Sequence, residues 1–464
     1  MQEKFDIIII GGGPGGYVAA IRAAQLKLKV ALVEKEHLGG ICLNWGCIPT
    51  KALLKAAEVL HTCKHAEAFG ITVGKVSFDL NKMIKYSRDV SAKLAGGVAG
   101  LMKKNGVKVF EGSGKLAGKG EIVVSIAGKD QRLSANNIII ATGARPRELP
   151  AIKFDGKLIW NYKHAMVPDK LPKSLLIVGS GAIGIEFASF YNMLGVDVTV
   201  MEILPQILAQ EDAEVAASAR KIFEKRGIKI LTKTEVLQTN PSGDSVAVKF
   251  RDESGKVHDA KFTRVISAVG VIANTENLGL ESTKVKIERG VIKTNEYLET
   301  DEPKVFAIGD VVAAPWLAHK ASHEGIICVE KIAGLQVHPM KRENIPACTY
   351  SYPQIASLGL TEAAARERYK DVKIGRFPLY ANGKALAIGE TDGFIKTIFD
   401  PKTGELLGAH LIGAEVTEMI QGFTIAKTME ATEAELIHTI FPHPTISEAM
   451  HESVLDAFGR VVHL

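Results

Sequence analysis

Residues Phe5 to Ile10 form a near-continuous apolar run, the pattern of a parallel strand buried on both faces. The run enters Gly11-Gly12-Gly13-Pro14-Gly15-Gly16, after which a helical stretch beginning Tyr17-Val18-Ala19-Ala20 is expected. A second apolar strand, Val30 to Val33, ends in Glu34. The same succession returns later in the chain. Leu175-Leu176-Ile177-Val178 enters Gly179-Ser180-Gly181-Ala182-Ile183-Gly184, a helix is expected from about Ile185, and an apolar run from Val196 to Met201 ends in Glu202. Near the other end, Ile446 and the helix-favouring residues behind it suggest a turn leading into a C-terminal helix around Ala449 to Phe458.

This repeat has a chemical meaning. In a strand–glycine turn–helix unit the first glycine permits the tight turn, the second lets a phosphate approach the backbone, and the third lets helix pack on strand. A pyrophosphate then rests on free N–H groups at the helix N-terminus, where the helix dipole favours an anion. In both copies the acid lies 23 positions after the first glycine (11 to 34, 179 to 202), at the end of the second strand. There it can accept hydrogen bonds from a ribose diol. One glycine pattern alone is a weak signal; two in full context predict two dinucleotide sites. The candidate residues are Gly11, Gly13, Gly16 and Glu34 in the first unit, and Gly179, Gly181, Gly184 and Glu202 in the second. A carboxylate at 202 would repel a 2′-phosphate, and no Arg lies between Glu202 and Ala219, so NAD is expected rather than NADP. Glu202 is expected to take the ribose diol with both oxygens.

Composition narrows the function classes. A chain of 464 residues with 46% apolar and 23% charged residues has material for two to four cores. The net charge of +5 comes from dispersed Lys and Arg, without the basic block of a nucleic-acid binder. No apolar run reaches the roughly 18 residues that span a bilayer. Met1 to Asp6 runs straight into the first strand, so no targeting segment is expected; the location is cytoplasmic, or the mitochondrial matrix if a presequence has been removed.

Five cysteines, an odd number, argue against a secreted disulfide scaffold. Cys63, Cys328 and Cys348 are scattered and read as reduced thiols. Cys42 and Cys47 stand in Gly39-Gly40-Ile41-Cys42-Leu43-Asn44-Trp45-Gly46-Cys47-Ile48-Pro49-Thr50-Lys51. Residues five apart in a regular helix have Cα atoms about 8 Å apart, whereas a disulfide needs roughly 4.4–6.8 Å. If the two bond, the segment must be distorted, and Gly46 supplies the freedom; the bland alternative is two unrelated thiols in a turn. His61, Cys63 and His65, and His319 with His323, have helical spacing but no further ligand nearby, and no metal site is expected.

The C-x4-C segment and the glycine-rich N-terminus resemble the pyridine nucleotide–disulfide oxidoreductases over essentially the whole chain. So do Ala141-Thr142-Gly143, the second nucleotide unit, Ala268-Val269-Gly270, Thr300 through Phe306-Ala307-Ile308-Gly309-Asp310, and His443-Pro444-Thr445-Ile446-Ser447-Glu448. The resemblance implies an α/β architecture of two Rossmann-like domains plus a C-terminal α+β dimerisation domain. FAD would be bound by 1–146 with 271–340, NAD by 147–270, and 341–464 would form the interface of a homodimer. By the same resemblance Cys42 and Cys47 form the redox disulfide, Cys42 meeting substrate and Cys47 facing the flavin. Lys51 stands near the flavin and pairs with Glu186 at the nicotinamide side. Gly114, Ala141, Thr142, Gly143, Asp310 and Trp316, Leu317, Ala318 and His319 line the FAD site, and Val236 and Gly270 touch NAD.

His443 has the right unperturbed pKa for a base that makes thiolates, and Glu448 would orient its ring. The Pro442-His443-Pro444 run is expected to carry a cis bond before Pro444. The resemblance implies that the pair is offered to the partner copy's thiols. Within the family, the branch acting on dihydrolipoyl groups with NAD is expected, served by a lipoyl-bearing acyltransferase or a glycine-cleavage H-protein. Its rival is a glutathione-type reductase, which uses NADPH and which Glu202 disfavours. Reductases with an extra C-terminal cysteine pair are excluded by the ending Gly459-Arg460-Val461-Val462-His463-Leu464. A non-catalytic flavoprotein subunit is disfavoured by retention of both thiols, Lys51, His443 and Glu448. Phe441, where many relatives have His, and Val271-Ile272-Ala273-Asn274, where many have an Arg-rich stretch, depart from the pattern without touching the thiols or His443.

Overall fold

The computed structural model describes residues 3–464; Met1 and Gln2, the start of the segment read as leading straight into the first strand, lie outside the described residues. The chain forms two compact units. One takes the chain up to Ala52 with Asn81–Arg147 and Val271–Met340, the other Leu53–Leu80 with Glu148–Gly270 and Lys341–Leu464.

The first unit is built on a parallel sheet. Strand Lys4–Ile10 lies between Val30–Glu34 and Lys129–Ile140, and Lys108–Glu111 and Val305–Ala307 extend the sheet on either side, all parallel. Ile7, Ile8 and Ile9 are fully buried, which is why no polar residue follows Asp6 in the run. The first half of Lys129–Ile140 instead pairs antiparallel with Glu121–Ile126, itself paired with Ser113–Leu116. Helix Pro14–Gln25 begins three residues earlier than its sequence pattern suggests, because Pro14, lacking an N–H, fits a helix's first turn. It packs on helix Ala318–Ile332 at two glycines: a Cβ on Gly325 would stand 2.6 Å from the Gly15 carbonyl oxygen. Arg22 and Glu330 join the two helices at their far ends, with Nε 2.8 Å from Oε1.

The second unit holds a parallel sheet in the order Lys229–Leu231, Asp197–Met201, Ser174–Val178, Arg264–Ser267, Ile159–Trp160. Its glycine-loop helix, Ala182–Met193, also starts three residues before the expected point. The C-terminal part is an antiparallel sheet of Ala347–Thr349, Gln354–Gly359, Leu406–Gly413, Phe394–Phe399 and Lys373–Pro378. Helices Val416–Thr428 and Glu448–Ala457 share its core, with Phe377, Phe399, Phe423 and Val454 at the centre. A Cβ on Gly375 would fall 1.8 Å from the Ser453 carbonyl oxygen, so only glycine lets Glu448–Ala457 lie this close to the strands.

A polar row crosses that sheet. Ser357, His410, Lys396 and Arg376 stand opposite one another on four neighbouring strands. Lys396, 1% exposed, reaches Asp212 (2.8 Å), Glu362 (2.8 Å) and Glu214 (2.5 Å). Burial alone would expel a lysine's proton, but three carboxylates more than offset it and push the ammonium up from its ordinary value. Asp212 caps helix Ala213–Lys225, so this ammonium ties that helix to the C-terminal sheet inside one unit.

Candidate functional site

The two glycine loops share one geometry. Gly11 has φ +112° and Gly179 φ +97°; a Cβ at either would collide with the carbonyl oxygen of Ala141 (2.1 Å) or Ala268 (2.5 Å). Gly16 and Gly184 are equally forced, their Cβ positions lying 1.8 Å from the Gly11 and 2.1 Å from the Gly179 carbonyl oxygen. Turn and packing therefore account for the first and third glycines of each loop. The middle ones differ: Gly181 has nothing within 4 Å, and Gly13 meets only the Gly40 Cα, at 4.0 Å. Both acids hold their own loop: Glu34 accepts from Gly12 N–H (2.7 Å) and Glu36 N–H (2.7 Å), Glu202 from Ser180 N–H (2.8 Å) and Leu204 N–H (2.9 Å).

The cysteine segment abuts the first loop. A Cβ on Gly40 would come 2.7 Å from Gly13 Cα. Helix Gly40–Trp45 stops at Gly46 and helix Cys47–Lys64 starts anew. This interruption brings the Cys42 and Cys47 Cα atoms to 4.7 Å, and the two form a disulfide. Gly46 is crowded by Ile41 O (3.1 Å) and Cys42 Cα (3.3 Å), leaving little room for a side chain. Helix Leu80–Lys104 pins the break from outside: Ser87 Oγ donates to Pro49 O (2.9 Å), and Arg88 donates to Asn44 O while its guanidinium lies 4.4 Å from the Trp45 ring. Lys51 follows Cys47 by one turn of helix.

The other first-unit candidates gather at the carboxyl ends of the parallel strands. Ala141-Thr142-Gly143 leaves strand Lys129–Ile140, with Thr142 exchanging hydrogen bonds with Asn274 (2.8 and 2.9 Å). Gly114 packs over Ile10 and Val33. Asp310 lies in the turn Gly309–Val311, where burial pushes its carboxyl up against the opposing pull of Lys320. Lys320 is itself buried on Glu324 (2.9 Å), which accepts the Gly309 N–H (2.7 Å). Trp316 donates to Val312 O (2.8 Å), and Leu317 caps the helix carrying Ala318 and His319.

In the second unit Gly270 follows strand Arg264–Ser267, Val236 sits beside a bulge in Glu235–Ser242, and Glu186 accepts from Tyr350 N–H (3.0 Å). His443 Nδ1 lies 2.9 Å from Glu448 Oε1, while Oε2 accepts Thr445 N–H (2.9 Å), and the bond before Pro444 is cis. Burial works to raise the Glu448 carboxyl, but Thr445 N–H and His443 hold it below the usual range. The His443 side chain is 78% exposed, so its other nitrogen is on the unit's surface. The thiols and Lys51 thus belong to the first unit, and His443, Glu448, Glu186 and the second loop to the second. Sequence reasoning passed over Ser180, Arg88 and Lys396; only Ser180 left a signal, as the residue that replaces Gly12 in the second copy of the repeat.

The family model for pyridine nucleotide-disulphide oxidoreductases matches residues 5–325, and that for the dimerisation domain of the same family matches 345–454. The chain belongs to this family. Among curated proteins, the dihydrolipoyl dehydrogenases of Zymomonas mobilis subsp. mobilis and Rhizobium etli are 57% and 56% identical, each aligned over 100% of both chains. That of Bacillus subtilis is 44% identical over the same shares. Among solved structures, LpdA from Mycobacterium tuberculosis superposes with a TM-score of 0.91 at 26% identity, covering 97% of this chain and 99% of that one. The HOCl-induced flavoprotein disulfide reductase RclA of Escherichia coli gives 0.86 at 25%, covering 97% and 99%.

For a pyridine nucleotide-disulphide oxidoreductase, the two middle glycines are the informative ones. Among the described residues nothing requires Gly13 or Gly181 to lack a side chain, so the space above each fits a pyrophosphate brought to the backbone. The dimerisation domain assigns this chain to a homodimer. Among the described residues no helix is long and apolar enough to cross a membrane, and no group of three or more His, Cys, Asp or Glu side chains is arranged around a metal position.

Proposed function

We propose that this chain oxidises protein-borne dihydrolipoyl groups to lipoyl and reduces NAD+ to NADH, using FAD. The observation that carries the reading is the Cys42–Cys47 disulfide seated against the first glycine loop, in a chain 57% identical throughout to a dihydrolipoyl dehydrogenase.

The residues then take these roles. A dihydrolipoyl thiolate attacks Cys42 Sγ, the Cys42–Cys47 bond breaks, and Cys47 leaves as thiolate. The second substrate thiol displaces Cys42, closing the lipoyl disulfide; two electrons stay on the cysteine pair and His443 takes up the released proton. Glu448 orients the His443 ring through Nδ1 and stabilises its charged form. FAD, when bound, supplies the two-electron relay from the dithiol to NAD+. Gly11, Gly13, Gly16, Glu34, Gly114, Ala141 to Gly143, Asp310 and Trp316 to His319 would hold FAD; Gly179, Gly181, Gly184, Glu186, Glu202, Val236 and Gly270 would hold NAD. Lys51 is assigned to the flavin edge. The domain division follows: 1–146 with 271–340 for FAD, 147–270 for NAD, 341–464 for the dimer. His443 of one copy serves the thiols of the other, which its exposure in the single chain supports. The lipoyl group arrives on an acyltransferase or H-protein, in the cytoplasm.

The test is NADH formation with free dihydrolipoamide against reduced glutathione. Turnover with the first and none with the second is expected; the reverse selectivity would sink the reading. Mixing Cys47→Ser with His443→Ala subunits should restore activity lost in each parent, and no recovery after verified mixing would place base and thiols in one chain.

A further inference from the structure

The two acids that close the two nucleotide units are not equally free. Glu34 Oε2 accepts one donor, the Gly12 N–H, and Oε1 accepts one, the Glu36 N–H. A carboxylate has about four lone-pair sites, two per oxygen, so Glu34 keeps one open on each. Glu202 Oε1 accepts one donor, the Leu204 N–H (2.9 Å). Its Oε2, however, accepts two: the Ser180 N–H at 2.8 Å and the Ser180 hydroxyl at 2.6 Å. That oxygen is full. Ser180 is 1% exposed and its hydroxyl points at the carboxylate from inside the loop, where the first copy of the repeat has Gly12 and no side chain.

We infer that Ser180 is a specificity- and affinity-setting residue of the pyridine-nucleotide site: by filling Oε2, its hydroxyl leaves Glu202 one acceptor for the adenosine ribose instead of two. This rests on the reading of Glu202 as the ribose-binding acid, and it replaces a grip through both oxygens with one through Oε1 alone. Two ribose hydroxyls presented to Glu34 each find an open acceptor. Presented to Glu202, they compete for one. The consequence suits the chemistry of each ligand: a resident flavin nucleotide is held by a carboxylate with both oxygens open, whereas a nucleotide that must leave in every turnover meets a carboxylate half closed. Charge is untouched, so Glu202 still repels a 2′-phosphate.

The experiment compares wild type, Ser180→Ala, Glu202→Gln and the double variant as FAD-loaded dimers. NADH binding is read by fluorescence titration, alongside KM and kcat for NAD+. Ser180→Ala is expected to tighten NADH about three- to tenfold and lower KM for NAD+, with kcat falling as product release slows, and with discrimination against NADPH retained. Weaker NADH binding would overturn the inference and make the hydroxyl an orienting group; unchanged binding would overturn it and make the hydroxyl structural. Glu202→Gln tests the underlying reading separately: it should weaken NADH and relax discrimination, and if it alters neither, the ribose assignment itself fails. In the double variant the Ser180→Ala gain should disappear, since no carboxylate remains to be freed; a persisting gain would show that the hydroxyl acts elsewhere.

Discussion

The two glycine loops solve one steric problem twice and then part company. In both, the first and third glycines answer to the loop's own carbonyl oxygens, and the acid ties back to the N–H after the first glycine. The surroundings differ. Gly13 has Gly40 against it and, behind Gly40, the helix that carries Cys42. A Cβ at Gly181 would meet nothing within 4 Å, and the Glu202 carboxylate accepts two hydrogen bonds from Ser180, where the other copy has Gly12. The turn is therefore a fixed device, and the copies differ in what each turn touches: the first has the disulfide-bearing helix against its middle glycine, the second has no such neighbour.

The largest expected effect breaks the comparison at its shared element. Gly11→Ala places a methyl 2.1 Å from the Ala141 oxygen at a positive φ, so the purified protein should lose its FAD, seen as loss of flavin absorbance after gel filtration. Gly179→Ala makes the same error in the second unit. It should keep the flavin and still be reduced by dihydrolipoamide, while KM for NAD+ rises by about five- to 150-fold, in line with roughly 1–3 kcal/mol of backbone strain. Equal flavin loss in both variants would mean that the loops are not functionally separate.

Next comes the stability of the second unit. Lys396→Met leaves Asp212, Glu214 and Glu362 without their shared cation and should cost about 3–5 kcal/mol, measured as a fall in denaturant midpoint. A variant as stable as the parent would show that the carboxylates find other partners.

The smallest effect is one of pH. Glu211, beside Asp212, is pushed up to about 7, first by burial and then by the Asp212 charge, against a hydrogen bond from Ser357. Its Oε2 has no hydrogen-bond partner. A carboxyl whose folded value is raised contributes stability that is fully present below about 4.5 and is lost as pH rises through about 7. Glu211→Gln imitates the protonated form at every pH. Parent and variant should match near pH 5, and above pH 7 the variant should be more stable by about 1–3 kcal/mol. Parallel stability curves from pH 5 to 8 would rule this out.

Much of this was legible in the residues. The apolar runs at Phe5 and Leu175, the glycines at their ends and the acids after them specify two strand–turn–helix units, because each signal acts over a few neighbouring residues. The break at Gly46 and the turn at His443 were readable for the same reason. Helix starts were misplaced by three residues, since periodicity reports the buried face and not the first hydrogen-bonded turn.

What the sequence by itself determined, then, is the local backbone: where φ must be positive, where a strand is buried on both sides, which cysteines are close enough along the chain to pair once a helix is interrupted. Only the tertiary structure decided which carboxylates meet Lys396, 184 positions from Asp212, that Gly15 and Gly325 form one contact, and that one oxygen of Glu202 is already filled. The physical reason is range. Steric limits on the backbone are imposed by adjacent atoms and are written in adjacent residues. The state of a buried charge depends instead on every donor that strand register and helix packing bring to it, and no stretch of sequence carries that sum.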